Sequence, residues 1–293
     1  MGRDMIDQAV IYIDGKFYSK DEAKISVYEH GFLYGDGVFE GIRVYGGRAF
    51  MLDEHVSRLY ESAHSIDLEI PVSEEKMRTI VLETIKRQGS ADSYVRLIVT
   101  RGVGNLGLDP RSCKKGPSII AIVESLKPLY DKPVRAIVPS VRRNAITALN
   151  PQIKSLNYLN NILAKIEATK AGADEAIMLD QRGFVSEGTG ENIFILKDGK
   201  LVTPPSSSSV LVGVTRNLVL KLAKEEGIPT EERDLTVHDI YNADEAFLTG
   251  TAAEVAPIAE LDGRKIGGGR LGPVTERLRR RFREFIKRNG TSP

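Results

Sequence analysis

The chain has 293 residues, of which 41% are hydrophobic and 28% are charged, and its formal net charge at pH 7 is +1. This composition is typical of a soluble globular protein, the length predicts two domains, and the charge balance argues against a nucleic-acid-binding surface. The single cysteine excludes an internal disulfide and a cysteine-based metal cluster, and the four histidines lack zinc-site spacing. No stretch approaches the roughly 20 apolar residues of a membrane span, and the first residues lack a signal-peptide core, so we expect a cytoplasmic protein.

The first 124 residues mix hairpins with helices, which predicts a small α+β domain. An Asp-Gly pair at 14–15 and a Gly-Gly pair at 46–47 are turn signals between strand-like segments, and each predicts a β-hairpin. Two further strands are predicted at "SYVRLIVTRG" and "SIIAIVESL". One helix is predicted over 51–68 with Asp53 as its N-cap, and another follows Ser73 and ends at Gly89.

Residues 125–136 contain two prolines and are interpreted as a linker to a larger domain over 137–293. That domain mixes strands with helices near 157–171, 215–226 and 273–288. It shows no strict strand-helix alternation and no internal repeat, so a doubly wound sheet is not expected. The last helix carries a basic outer face, which we interpret as solvated rather than nucleic-acid binding.

Four short segments of this second half each give a weak signal for a catalytic or binding site, and they are informative only when taken together. Lys154 stands just before a helix, where a lysine is usually a solvated charge. Thr215, predicted to cap a helix after Gly213, creates a helix start that could bind an anion. The small residues at 250–253 follow a strand and could expose amides or simply pack closely. Glu187 lies beside a glycine-containing bend, either as a loop charge or as a buried partner.

An aromatic and glycine-rich segment in the first half, "YEHGFLYGDGVFEGIRVY", is not a dinucleotide fingerprint. Its glycines follow G-x-G-x-x-x-G, one residue too long, and a strand follows where a helix is required. Its aromatic residues Phe32, Tyr34 and Phe39 are therefore expected to lie in the core.

Seven segments in this order resemble the fold-type IV pyridoxal-phosphate enzymes, and most closely the branched-chain aminotransferases. They are "YGDGVFEGIRVY", "HVSRLYESA", "SYVRLIVTRG", "IKSLNYLNN", "SEGTGENIF", "LVGVTRNLV" and "LTGTAAEVAPI". The resemblance implies a D-amino-acid aminotransferase-like fold with a small N-terminal domain and a larger domain built on a mixed sheet. It implies amino transfer from L-leucine, L-isoleucine or L-valine to 2-oxoglutarate, by a homodimer or a higher homo-oligomer built from dimers.

The resemblance also implies pyridoxal 5'-phosphate as cofactor. Lys154 matches the Schiff-base lysine, whose amine can hold the cofactor and later carry a proton. Glu187 matches the partner of the pyridine nitrogen, and Tyr158 matches the ligand of the 3'-oxygen. The other residues implied to contact the cofactor are Arg58, Val214, Thr215 and Thr251 around the phosphate, and Leu211, Val212 and Gly213 beside them.

For the substrate, the resemblance implies a site for the α-carboxylate, an apolar pocket and a loop that reaches the neighbouring subunit. The α-carboxylate site comprises Tyr94, Thr251 and Ala252. The walls of the apolar pocket are Tyr34, Phe39, Gly41 and Tyr130, and the loop carries Leu106 and Leu108. A pocket that accepts leucine and glutamate in turn needs a cation at its edge, because an unpaired buried carboxylate is costly. Arg96 shares a strand face with Tyr94 and is our candidate, and Arg43 is the next.

One spacing leaves alternatives open. "KSLNY" is a residue shorter between lysine and tyrosine than in the bacterial branched-chain enzymes, and D-amino-acid aminotransferases share that shorter spacing. The loop "VGNLGLDP", however, lacks the arginine and histidine with which those enzymes bind the carboxylate. D-amino-acid or (R)-amine transamination and aminodeoxychorismate lyase activity remain the alternatives. A phosphate-binding module without catalysis would have no use for Lys154, Glu187 and Tyr158 together.

Overall fold

The computed structural model describes residues 9–126 and 129–293. Residues 1–8 of the predicted first domain, and residues 127 and 128 of the predicted linker, lie outside the described residues. The chain divides into two compact units, and each consists of more than one segment. The described residues of the first unit fall within Met1–Lys127, Ile153–Asn157 and Ile286–Pro293, and those of the second within Pro128–Gln152 and Tyr158–Phe285.

The first unit is built on a six-stranded antiparallel sheet with the strand order β2-β1-β6-β5-β3-β4. Its strands are β1 (Val10–Ile13), β2 (Lys16–Ser19), β3 (Gly37–Tyr45), β4 (Arg48–Ala49), β5 (Ser93–Thr100) and β6 (Ser118–Glu124). Its helices are α1 (His30–Tyr34), α2 (Leu52–Ser65) and α3 (Glu74–Gln88), and a 3₁₀ turn covers Pro110–Ser112.

The two faces of this sheet have different roles, because successive strand residues point to opposite sides. Alternate apolar residues of β3 and β5, such as Ile42 and Leu97, pack with α2 and α3 in the core. The intervening residues face the other side, and Gly41 of β3 is paired directly with Arg96 of β5. The sheet therefore presents an aromatic and basic face opposite its helices.

Most local predictions for this half are confirmed. Both hairpin turns form, and Ser73 Oγ accepts a backbone hydrogen bond of 3.2 Å at the start of α3. The prediction of Asp53 as N-cap is wrong: the N-cap is Met51, two residues earlier and in a left-handed conformation, and α2 begins at Leu52. The core positions predicted for Phe32 and Tyr34 are also wrong. They are 67% and 36% exposed, since α1 is a single short turn at the surface.

The second unit contains an eight-stranded mixed sheet, as predicted, with the order β11-β10-β9-β12-β13-β7-β8 and with β14 paired to β13. Parallel pairs (β10 with β11, β13 with β7, β7 with β8) combine with antiparallel ones. The strands are β7 (Val134–Ile137), β8 (Glu175–Ala176), β9 (Asn192–Lys197), β10 (Lys200–Thr203), β11 (Thr230–Glu232), β12 (Glu245–Gly250), β13 (Glu254–Leu261) and β14 (Arg264–Lys265). The segment interpreted as a linker thus ends inside β7.

Four helices belong to the second half of the chain, close to the predicted positions, together with a 3₁₀ turn at Ser206–Ser208. They are α4 (Leu159–Lys170), α5 (Val214–Glu225), α6 (Val237–Tyr241) and α7 (Pro273–Arg288). Helix α4 buries small residues, Ala164 and Ala168, against its own unit. Its large apolar residues form an exposed stripe, which consists of Leu159, Ile162, Leu163 and Ile166. Among the described residues, no helix is long and apolar enough to cross a membrane.

Candidate active site

Lys154 lies in the short segment of the first unit that joins the edge of β3. Its carbonyl accepts a hydrogen bond from Phe39 N at 2.9 Å, and its own N–H donates to Ser62 Oγ at 3.1 Å. Two residues later, Leu156 N donates to Gly37 O at 2.9 Å. These bonds fix the backbone on both sides of the lysine, and the half-buried side chain places Nζ 4.6 Å from the Phe39 ring centroid.

Arg58 projects from α2 into a buried charge network centred on Glu40. Its Nε and Nη2 donate to the two Glu40 oxygens at 2.7 and 2.8 Å, and His55 Nδ1 approaches Glu40 at 2.7 Å. Burial opposes the charge on Glu40, but Arg58 and His55 outweigh it and hold the pKa of this carboxyl well below its usual value. Burial also lowers the pKa of His55, against the attraction of Glu40.

Sequence reasoning did not identify Glu40 or His55. The available signal was the alternation along β3, which puts Glu40 on the same face of the strand as the core residues Val38 and Ile42. A carboxylate at such a position requires a buried cation, because an unpaired charge there would be too costly. The network fixes the plane of the Arg58 guanidinium.

The opposite face of the same sheet carries four of the residues predicted for the substrate, Phe39, Gly41, Tyr94 and Arg96. The Arg96 guanidinium carbon lies 4.6 Å from the Phe39 ring centroid and 5.7 Å from that of Tyr94. No ion pair of Arg96 is present among the described residues, so its charge rests on aromatic rings. Gly41 leaves room for the Tyr94 side chain, since a Cβ at this position would clash with Tyr94 Oη.

The two predicted interface leucines lie on an exposed loop that is anchored to α1. His30 Nε2 is 2.9 Å from Asn105 O, and the His30 ring contacts Tyr34 edge-on at 5.1 Å. The loop is thus held at its base, while Leu106 and Leu108 are 70% and 80% exposed.

Glu187 of the second unit is buried and held by three donors. Arg143 Nε donates to Oε1 at 2.8 Å, and Leu211 N and Asn192 Nδ2 donate to Oε2 at 3.0 and 3.2 Å. The prediction left open whether Glu187 was a loop charge or a buried partner, and the second reading is correct. Arg143 and Asn192 were not predicted. Arg143 lies 44 residues from Glu187 in the chain, and Asn192, which is five residues away, reaches it only across the intervening turn.

Helix α5 begins at Val214, so the prediction of Thr215 as N-cap is wrong. Thr215 is the second helical residue, and the cap position is Gly213, which offers no side-chain hydrogen bond to the first amides. Those amides have no acceptor within the helix, which gives its start an affinity for anions. Gly213 is also required sterically, since a Cβ there would lie 2.1 Å from Asn192 Oδ1.

The remaining predicted residues of the second unit lie at the ends of its elements. Thr251 and Ala252 form the half-buried turn between β12 and β13. Tyr158 is the N-cap residue of α4. The Tyr130 hydroxyl donates to Glu175 Oε2 at 3.0 Å, which fixes its ring. Each unit therefore holds its own group of predicted residues in ordered positions.

Comparisons with known proteins identify the family. A sequence profile of amino-transferase class IV matches residues 37–261. The chain is 55% identical to a putative branched-chain-amino-acid aminotransferase of Methanocaldococcus jannaschii, over 94% of this chain and 96% of that protein. It is similar to the branched-chain aminotransferase of Thermoproteus uzoniensis solved with norvaline (TM-score 0.91, 37% identity, 95% of each chain). It is also similar to the branched-chain amino acid aminotransferase of Escherichia coli (TM-score 0.92, 35% identity, 94% of each chain).

Matches that extend over nearly the whole chain confirm both the predicted fold type and the predicted family. The protein belongs to the class IV aminotransferases.

Proposed function

We propose that the protein is a cytoplasmic branched-chain aminotransferase that uses pyridoxal 5'-phosphate. It transfers the amino group of L-leucine, L-isoleucine or L-valine to 2-oxoglutarate, giving the branched-chain 2-oxo acid and L-glutamate. The observation that carries this proposal is the Arg96 guanidinium on the rings of Phe39 and Tyr94. An aromatic face with one cation suits an apolar side chain and, in the other half-reaction, a carboxylate. The names of the similar proteins support the same substrates.

The side chains present fit this cofactor. The phosphate suits an arginine and an uncapped helix start, and Arg58 and α5 supply them. The pyridine nitrogen suits a buried carboxylate, and Glu187 is buried and forms a 2.8 Å ion pair with Arg143. When bound, the cofactor supplies an aldehyde for covalent attachment and a ring that withdraws electrons from the substrate Cα.

Lys154 is the residue we propose for both covalent attachment and proton transfer. Its backbone is fixed against β3 by the Phe39 and Ser62 hydrogen bonds, so the four-carbon stem alone sets the position of Nζ. The Phe39 ring beside Nζ limits its hydration. As a free amine, Lys154 would take the proton from the substrate Cα and deliver it to the adjacent carbon of the cofactor.

We propose that the phosphate is bound by Arg58, by the Val214 and Thr215 amides and by Thr251. Glu40 holds the guanidinium plane, so Arg58 loses little side-chain freedom on binding. The first amides of α5 add donors and the favourable end of the helix dipole. Glu187 orients the ring nitrogen, Tyr158 binds the 3'-oxygen, and Leu211 packs beside the ring.

We propose separate residues for the three parts of the substrate, which are the α-carboxylate, an apolar side chain and the side-chain carboxylate of glutamate. The Tyr94 hydroxyl and the amides of Thr251 and Ala252 are proposed to bind the α-carboxylate. The apolar side chain would lie among the residues predicted as pocket walls, which are Tyr34, Phe39, Gly41 and Tyr130. Arg96 would bind the side-chain carboxylate of glutamate.

We propose a homodimer in which Leu106 and Leu108 complete the partner's site. Their exposure in the single chain supports this, because two leucines at the tip of an anchored loop are unfavourable in water. The exposed apolar stripe of α4 supports association in the same way.

The proposal is tested by adding pyridoxal 5'-phosphate to the purified protein and recording its visible spectrum. We expect a bound chromophore that L-leucine and L-glutamate each convert, while D-alanine and (R)-phenylethylamine do so at least about tenfold more slowly. A protein that stays colourless would refute the cofactor assignment. Faster conversion by D-alanine would refute the choice of substrates and leave the cofactor assignment intact.

A further inference from the structure

Two buried glutamates of the second unit, Glu175 and Glu191, are assigned no contact with cofactor or substrate in the function proposed above. Glu175 is the first residue of β8, and Glu191 immediately precedes β9. Their exposed fractions are 1% and 8%. Two buried carboxyl groups near each other need either two cations or one shared proton, because like charges in a dry site repel strongly.

Glu175 has the surroundings of a carboxylate. Its Oε1 accepts hydrogen bonds from the backbone N–H groups of Ala176 and Thr189, at 2.8 and 2.9 Å. Its Oε2 accepts from Lys165 Nζ at 2.6 Å and from the Tyr130 hydroxyl at 3.0 Å. Four donors fill the positions that an ionised carboxylate offers, so Glu175 is the anion and Lys165 balances its charge.

Glu191 has different surroundings. The hydrogen bond it accepts comes from Gly190 N at 3.1 Å, and among the described residues no cation forms an ion pair with it. Its side chain lies between two glycines: a Cβ at Gly188 would be 3.3 Å from Glu191 Oε2, and a Cβ at Gly250 would be 3.2 Å from Glu191 Cγ. Glu191 thus packs between the turn that follows Glu187 and the residue that precedes Thr251.

We propose that Glu191 is a neutral carboxylic acid in the working enzyme, a positioning residue that holds the turn after Glu187 against Gly250. The function of the two turns rests on the aminotransferase assignment, whereas the protonation of Glu191 does not. The proton removes the second negative charge beside Glu175, and the compact neutral group keeps both glycine-containing backbones in contact.

The charged groups around Glu191 determine when this proton is lost. Burial and the charge of Glu175 raise the pKa of Glu191 to about 8, Lys165 and the Gly190 N–H oppose that rise, and Glu187 adds to it. Tyr130 also faces the pair, and burial together with both glutamates raises its pKa, so it stays a neutral donor. Above about pH 8, Glu191 ionises, repels Glu175 and Glu187, and loosens both turns.

Glu191→Gln tests the proposal, because an amide has the shape of the neutral acid and cannot ionise. In the holoenzyme, an infrared difference spectrum of wild type minus this variant should contain a carboxylic-acid C=O band at neutral pH that disappears above about pH 8. Glu175→Gln should lose the band at a lower pH than wild type, because the charge of Glu175 no longer raises the pKa of Glu191. Absence of the band in wild type, or its loss at a higher pH in Glu175→Gln, would overturn the proposal whether or not the protein is an aminotransferase.

The second measurement is the rate of the L-leucine half-reaction at two pH values. For one group with a pKa of about 8, the neutral fraction falls by about 25-fold between about pH 7.5 and about pH 9.5. The ratio of the wild-type rate to the Glu191→Gln rate should fall by that factor over this pH interval, because all other titrations affect both proteins equally. Glu61→Gln, the same change at an exposed site, should follow wild type. Equal profiles for wild type and Glu191→Gln would overturn the positioning role.

A further variant covers the case in which Glu191→Gln fails to fold. Lys165→Met removes the cation that opposes the high pKa of Glu191, so the alkaline loss of activity and of the infrared band should move to higher pH. A shift to lower pH, or no shift, would contradict the proposed arrangement.

Discussion

Replacing Arg96 by methionine removes a guanidinium from the side of β5 that we propose faces the substrate, and leaves a long apolar side chain in its place. The guanidinium lies against the rings of Phe39 and Tyr94, at 4.6 and 5.7 Å from their centroids. A methionine thioether fills similar space and contacts aromatic rings favourably, so the packing of the β3–β5 pair should survive. The change therefore tests the charge rather than the fold.

The expected loss differs between the two substrates. Glutamate and 2-oxoglutarate lose the partner of a desolvated carboxylate, which costs about 2–5 kcal/mol. That range corresponds to roughly thirtyfold to several thousandfold in kcat/KM. The contacts between Arg96 and the rings are worth about 0.5–2 kcal/mol, so the rings do not replace the carboxylate as a partner. Leucine makes only apolar contacts there, and its kcat/KM should change by less than about tenfold.

The assay measures each half-reaction separately in single turnover, so that a loss with one substrate does not limit the other. Arg43→Met is the matched control. Arg43 is buried on the same face of β3, but it donates to Leu126 O at 3.1 Å and lies over Tyr45. We expect this control to affect leucine and glutamate by similar factors. Equal losses for both substrates in Arg96→Met would refute the reasoning, and a glutamate-selective loss in Arg43→Met would transfer the role to Arg43.

Lys154→Ala should retain the cofactor, since the phosphate contacts remain, but its turnover should fall by about 10⁴-fold or more. A steady-state rate within about tenfold of wild type would contradict the role of Lys154. Glu187→Gln should bind the cofactor and lower kcat by about 10²-fold or more, because an amide cannot stabilise a protonated pyridine; unchanged kcat at full occupancy would exclude Glu187. Gly41→Ala should raise KM for leucine and glutamate alike by about tenfold or more, because the added methyl displaces the Tyr94 hydroxyl. A change in KM for only one of the two substrates would indicate that position 41 contacts the substrate side chain instead.

The sequence predicted elements whose signals are local. Helix α3 shows this, since Ser73 and Gly89 bound it in both prediction and structure. The start of α2 was missed because its preceding residue, Met51, is held in a left-handed conformation by the end of a hairpin. Periodicity also identified α4 but not its buried face. Its large apolar residues are exposed, and the structure buries its alanines.

The partners of the predicted site residues could not be predicted in the same way. Glu40 with Arg58, and Arg143 with Glu187, are pairs 18 and 44 residues apart, and only the folded sheet brings each pair together. The roles of Lys154 and Glu187 came from the ordered set of family motifs, because a single lysine or glutamate has no distinguishing pattern. Glu191 was part of the quoted motif "SEGTGENIF", yet its burial beside Glu175 is a property of the fold.

The alternation along β3 has an evolutionary consequence. Glu40 points to the helices and holds Arg58, while its neighbours Phe39 and Gly41 point to the opposite face with Arg96. Substitutions at the outward-facing positions can change the proposed substrate pocket, while the inward-facing positions continue to hold Arg58, the residue that we propose binds the cofactor phosphate. A strand organised in this way lets substrate preference diversify without loss of the common chemistry.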